Sequence, residues 1–125
     1  MSQDENKKIL IIEDEKELAF SLAELLRSKG YKTFVAHDGL YGTSQARNEK
    51  VDLVLLDIGL PAGGGLFVLE NLKRSVLTSH IPILVLTAQH GENLKSNVFK
   101  LGAQAFFSKP FNPDELLESI KKFIN

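Results

Sequence analysis

Residues 51–61 read Val-Asp-Leu-Val-Leu-Leu-Asp-Ile-Gly-Leu-Pro. From Leu53 to Leu56 nothing polar interrupts the run, and it stops abruptly at Asp57. A strand with one wet face would alternate apolar and polar residues. An unbroken run instead suits a strand buried on both faces, as in a parallel sheet covered by helices. Four other short runs share this character: Ile9-Leu10-Ile11-Ile12, Thr33-Phe34-Val35, Ile83-Leu84-Val85-Leu86 and Ala105-Phe106-Phe107. With Val51–Leu56 they make five predicted strands.

The segments between them carry helical spacing. Leu18, Leu22, Leu25 and Leu26 form one stripe, closed by Lys29-Gly30. A weaker helix over Gly39–Glu49 follows Asp38, an N-cap candidate. Leu66, Leu69, Leu72 and Val76 mark a third helix, and Leu94, Val98 and Leu101 a fourth that ends at Gly102. Leu116, Leu117, Ile120 and Ile124 mark the last, with Asn112 to cap it and Pro113 at its first position. Five β-α repeats in strict alternation predict an open, doubly wound α/β sheet with helices on both faces. A chain of 125 residues has room for one domain, with a core over residues 8–124. Residues 1–6 are polar and aperiodic and are expected to form a flexible tail.

Composition removes several classes of function. With no cysteine, the chain offers no disulfide framework, zinc knuckle or thiol nucleophile. A net charge of −1 supplies no global basic field, so direct nucleic-acid binding is not expected. The apolar run at Ile9–Ile12 is too short for a signal segment or a membrane span. A cytoplasmic domain without a membrane partner is the expectation.

In open α/β sheets, ligands bind beyond the carboxyl ends of the strands, where strand order reverses. Here the first run ends in Glu13-Asp14, the third in Asp57, the fourth in Thr87 and the fifth in Lys109-Pro110. A single strand-end aspartate is commonly a cap or turn former, but capping does not explain three acids facing a lysine. Three close carboxylates repel one another unless a cation intervenes. A hard divalent cation such as Mg²⁺ suits oxygen ligands and keeps positions open for phosphate oxygens. A carboxylate beside it can attack a phosphoryl group, with the lysine and the threonine hydroxyl serving the phosphoryl oxygens.

These motifs, Ile-Glu-Asp-Glu, Leu-Leu-Asp-Ile-Gly-Leu-Pro, Leu-Thr-Ala and Ser-Lys-Pro-Phe, stand in this order along the chain. Together they resemble those of the response-regulator receiver domain of two-component, His-Asp phosphorelay signalling. The resemblance runs from Lys8 to Ile124. It implies a flavodoxin-like (βα)5 fold with strand order 2-1-3-4-5. It makes Asp57 the phosphoacceptor, Asp14 a direct Mg²⁺ (or Mn²⁺) ligand, Glu13 a ligand acting mainly through water, and the Gly59 carbonyl a further ligand. Lys109 is then assigned to the phosphoryl oxygens and Thr87 to the switch hydroxyl. Phe107 is given the switch-aromatic position, and Lys109-Pro110 a cis peptide bond. The implied donor is a sensor histidine kinase or a histidine phosphotransfer protein. The implied output is a change in partner binding by the face of the fourth helix, fifth strand and fifth helix. Such a domain is a signalling phosphoacceptor, not an enzyme, though it assists its own phosphorylation and dephosphorylation.

Gly59 and Gln89 flank the phosphorylation site in this reading and are expected to tune phosphoryl lifetime. The glycine run Gly63-Gly64-Gly65 predicts a mobile loop. His37, His80 and His90 lack metal-ligand spacing. A flavodoxin-like cofactor binder would need a phosphate loop where Glu13-Asp14-Glu15 stands. An aspartate-nucleophile phosphatase would need a second acid where Gly59 stands. A docking module without phosphorylation has no need of the full residue set. Both a stand-alone regulator and a receiver cut from a longer protein are compatible with the sequence.

Overall fold

The computed structural model describes residues 6–61 and 64–124. Five parallel strands alternate with five helices: β1 (Lys8–Ile12), α1 (Lys16–Ser28), β2 (Lys32–Ala36), α2 (Gly39–Asn48) and β3 (Leu53–Leu56), then α3 (Gly64–Arg74), β4 (Ile83–Thr87), α4 (Leu94–Lys100), β5 (Ala105–Ser108) and α5 (Pro113–Ile124). The order across the sheet is β2-β1-β3-β4-β5. β1, β3 and β4 are buried on both faces, which is what their unbroken apolar sequences predict.

Two hydrophobic layers sandwich the sheet. Leu10, Ile12, Val54, Leu56 and Val85 face α2, α3 and α4, where they meet Ala46, Val68, Leu69, Leu72 and Val98. Their neighbours Ile9, Ile11, Leu53, Leu55 and Leu84 face α1 and α5 and meet Leu22, Leu26, Leu116 and Ile120. Each fully buried leucine or isoleucine contributes about 1.5–3 kcal/mol of transfer free energy, so burial on both faces holds the central strands.

The helix ends follow the residues that flank them. The Asp38 carboxylate accepts the Tyr41 N–H at 2.8 Å and so caps α2. Asn112 Oδ1 accepts the N–H groups of Asp114 and Glu115 and caps α5. Gly30 and Gly102, at φ 95° and 111°, close the turns after α1 and α4. No side chain caps α1, whose N-cap residue is Glu15, so Asp14 is left available for other chemistry.

Two sequence expectations are corrected. α3 ends at Arg74, and Val76 beyond it is 88% exposed. Its buried face is Gly65, Val68, Leu69 and Leu72, while Leu66 lies at the surface. β3 begins at Leu53, after Val51 and Asp52. Of the expected mobile loop, Gly63 lies outside the described residues and Gly64 opens α3. The expected flexible tail lies, save Asn6, outside them as well.

Candidate phosphorylation site

The connections leaving β1 and β3 diverge to opposite sides of the sheet, so a crevice opens at the carboxyl ends of those strands. Backbone pairing continues one residue past the strands there. Glu13 N donates to Ala36 O, Asp57 N to Ile12 O and Lys109 N to Thr87 O, all at 2.9–3.0 Å. Ladder hydrogen bonds thus fix where the three charged side chains begin.

The side chains converge. Lys109 Nζ lies 2.9 Å from Glu13 Oε1 and 3.2 Å from Asp57 Oδ2. Asp57 Oδ1 accepts the Gly59 N–H at 2.8 Å, and Glu13 Oε2 accepts that of Glu15 at 3.1 Å. Thr87 is fully buried, and its Oγ1 accepts the Gln89 N–H at 3.1 Å, leaving the hydroxyl hydrogen to donate elsewhere. Glu13, Asp14, Asp57, Gly59, Thr87, Gln89 and Lys109 share one open depression of about 390 Å³. Glu15 and Ala88 complete its wall. The Glu15 N–H reaches the site through Glu13 Oε2, a contact that no side-chain pattern announces.

Charge in this depression is unbalanced, with four acids, Glu13, Asp14, Glu15 and Asp57, against one lysine. Burial is the main cause that pushes the Glu13 carboxyl above the usual carboxylate range, and the Asp57 charge adds to it. The Lys109 hydrogen bond and the Glu15 N–H pull the other way without overcoming burial. On Lys109, burial disfavours the ammonium, but Glu13 and Asp57 outweigh it and raise the pKa above the ordinary lysine value. One oxygen from each of Glu13, Asp14 and Asp57 lies within 4.8 Å of the others. An all-oxygen set with surplus negative charge fits a hard divalent cation, and Asp14, the exposed member, leaves it open to solvent. Among the described residues no histidine joins a cluster of this kind.

A family profile for the response regulator receiver domain matches residues 9–121. The chain belongs to that family. The receiver domain is 34% identical over 119 residues to sporulation initiation phosphotransferase F of Bacillus subtilis, covering 95% of this chain and 94% of that protein. It is also 34% identical over 115 residues to the phosphate regulon transcriptional regulatory protein PhoB of Escherichia coli. That match takes in 92% of this chain but only 50% of PhoB, so the receiver domain spans about half the length of such transcriptional relatives. Among solved structures it superimposes on a CheY-like receiver domain protein from Methanospirillum hungatei with a TM-score of 0.88 at 30% identity, covering 94% of this chain and 93% of that one. The HemR receiver domain of Leptospira biflexa gives 0.86 at 32%, covering 96% and 95%. Receiver domains are signalling domains of two-component response regulators, with a general phosphoacceptor role. They work with kinases and output domains, and as a family they bind Mg²⁺. No helix among the described residues is long and apolar enough to cross a membrane.

One site expectation is corrected here. Phe107 pairs in register with Leu86 and packs on the α1–α5 layer. Phe106 pairs with Val85 and packs on the α4 layer, where it lines a shallow depression with Gln89 and Leu94. Side chains alternate along a strand, so Thr87, two residues after Val85, shares its face with Phe106. The aromatic ring beside Thr87 on the α4 side is therefore Phe106.

Proposed function

We propose that Asp57 receives the phosphoryl group of a phosphohistidine on a sensor histidine kinase or a histidine phosphotransfer protein. An Asp57 carboxylate oxygen attacks phosphorus, the P–N bond breaks, and its electron pair and a proton return the donor imidazole to its neutral form. The observation that carries this is the convergence of Glu13, Asp14, Asp57 and Lys109 in one depression at the strand-order reversal. Glu13, Asp14, Asp57 and the Gly59 carbonyl would hold Mg²⁺ or Mn²⁺, which when bound offsets negative charge on the phosphoryl oxygens. Lys109 is already aimed between the two acids and would carry the same oxygens as a point charge. The test is intact mass after incubation with a small phosphodonor. The mass of one phosphoryl group should be gained with Mg²⁺ and not after chelation; gain that ignores the cation overturns this reading.

The same geometry supports a reading of the output step. Thr87 would turn its free hydroxyl hydrogen toward a phosphoryl oxygen, and Phe106 would rotate into the space it leaves. The α4-β5-α5 face then changes its preference among output partners. Driving such a pair of states from 1:99 to 99:1 takes about 5.5 kcal/mol of differential stabilisation. We expect Phe106→Ala to accept phosphoryl groups at an undiminished rate but to lose the phosphorylation-dependent amide shifts over α4 and β5 in ¹⁵N spectra. Phe107→Ala should keep those shifts. The reverse pattern sinks the assignment.

A further inference from the structure

The opposite end of the sheet has a different character. With every strand parallel, the returning helices end at the strands' amino-terminal edge. All five carry basic residues in the last turn: Arg27, Arg47, Lys73 with Arg74, Lys100, and Lys121 with Lys122. Such cations complement the helix dipoles, at about 0.3–1 kcal/mol each. The net charge of −1 thus conceals an acidic end and a basic end.

One cavity at the basic end goes further than dipole compensation. It encloses about 500 Å³, within the size range of small-molecule sites. Lys7, Arg47, Lys50 and His80 line it, and among these only Arg47 belongs to a helix's last turn. Among the described residues none of the four has an ion-pair partner. The single acid in the lining, Asp52, already accepts the Lys8 N–H at 2.8 Å. Val51, Ile81, Phe123 and the rim residue Leu77 supply the apolar part. Lys50 adopts φ 53°, the left-handed conformation that favours glycine. A side chain there costs roughly 1–2 kcal/mol, yet the position carries a cation over the cavity.

We propose that this cavity binds a small amphipathic anion, with a phosphate or carboxylate head held by Lys7, Arg47 and Lys50 and a short apolar chain resting on Leu77 and Phe123. Three cations against one engaged carboxylate select the head, and the apolar lining selects the chain. The hollow favours a monomeric ligand over a lipid surface, because its cations line a recess of about 500 Å³ and not a flat face.

The experiment is a ¹⁵N amide titration with octyl phosphate, run beside octanol, inorganic phosphate and anionic phospholipid vesicles. Octyl phosphate should shift Val51, Asp52, Ile81 and Phe123 saturably and bind at least about tenfold more tightly than octanol or phosphate. Lys50→Gly should weaken it about threefold, the scale of an exposed charge pair, without lowering the melting temperature. Equal binding of octanol, shifts confined to the acidic end, or undiminished affinity in Lys50→Gly overturns the proposal. So does binding seen with vesicles and not with octyl phosphate, which would assign the basic end to a membrane surface. None of these readouts involves phosphorylation, so this proposal and that for Asp57 fail separately.

Discussion

Asp57→Asn should gain no phosphoryl mass under conditions that label the wild-type chain, yet melt no lower than it. The loss follows from the nucleophile, since a carboxamide has no anionic oxygen to form the acyl phosphate. Retention of the fold follows from the hydrogen bonds. Asparagine keeps an oxygen to accept the Gly59 N–H, and Lys109 stays paired with Glu13 at 2.9 Å. Neutralising Asp57 also removes one of three mutually repelling acids and with it one cause of the raised Glu13 pKa. Measuring intact mass and thermal unfolding on one preparation separates the two effects. Full labelling of a folded Asp57→Asn protein would move the acceptor elsewhere, with Asp14, the exposed neighbouring acid, the next candidate. Lys109→Ala is the opposite case. It leaves Glu13 and Asp57 buried without their cation, and loss of one partner from a buried pair costs about 3–5 kcal/mol. The acid can therefore be probed cleanly by substitution, and the lysine cannot.

The parts of this architecture that were legible in the sequence are those in which one residue type has one physical use. Apolar runs without alternation gave the buried strands, and Asp38 and Asn112 gave helix starts because their side chains satisfy free N–H groups. The charged residues that end those runs marked the crevice, because ladder pairing carries them to the sheet edge. Where the pattern is degenerate, it leaves the facing residue undecided. Ala105-Phe106-Phe107 is apolar at every position, so the sequence does not say which phenylalanine faces α4. Pairing of Val85 with Phe106 decides it, and that register is a tertiary property. The stripe through Leu66 and Val76 was equally consistent with helical spacing. The actual buried face includes Gly65, whose lack of a side chain hides it from any hydrophobic pattern. The basic cavity was invisible for another reason: its residues are far apart in sequence and their charges vanish in the total.

Gly65→Ala should be among the most destabilising single-atom changes in the domain. A Cβ at this position would overlap the Cα of Ile58 and stand 2.5 Å from that residue's carbonyl carbon and oxygen. These are backbone atoms, so no rotamer change relieves the clash; α3 or the Asp57–Gly59 segment must move. Overpacking typically costs about 1–3 kcal/mol, and rigid obstacles place this case at or above the upper end. For a domain of this size that corresponds to a fall of roughly 10 °C in melting temperature. Gly64→Ala is the matched control, since its Cβ would meet only Leu60 Cβ at 3.8 Å, an ordinary contact. It should leave stability within about 1 kcal/mol of wild type. A functional consequence accompanies the clash. Ile58 lies between Asp57 and Gly59, so displacing it disturbs the 2.8 Å hydrogen bond that orients the Asp57 carboxylate. Gly65→Ala should therefore accept phosphoryl groups more slowly than Gly64→Ala even at temperatures where both remain folded. Equal uptake and equal melting in the two variants would show that α3 yields freely, and the close approach of Gly65 to Ile58 would then have no part in holding the site.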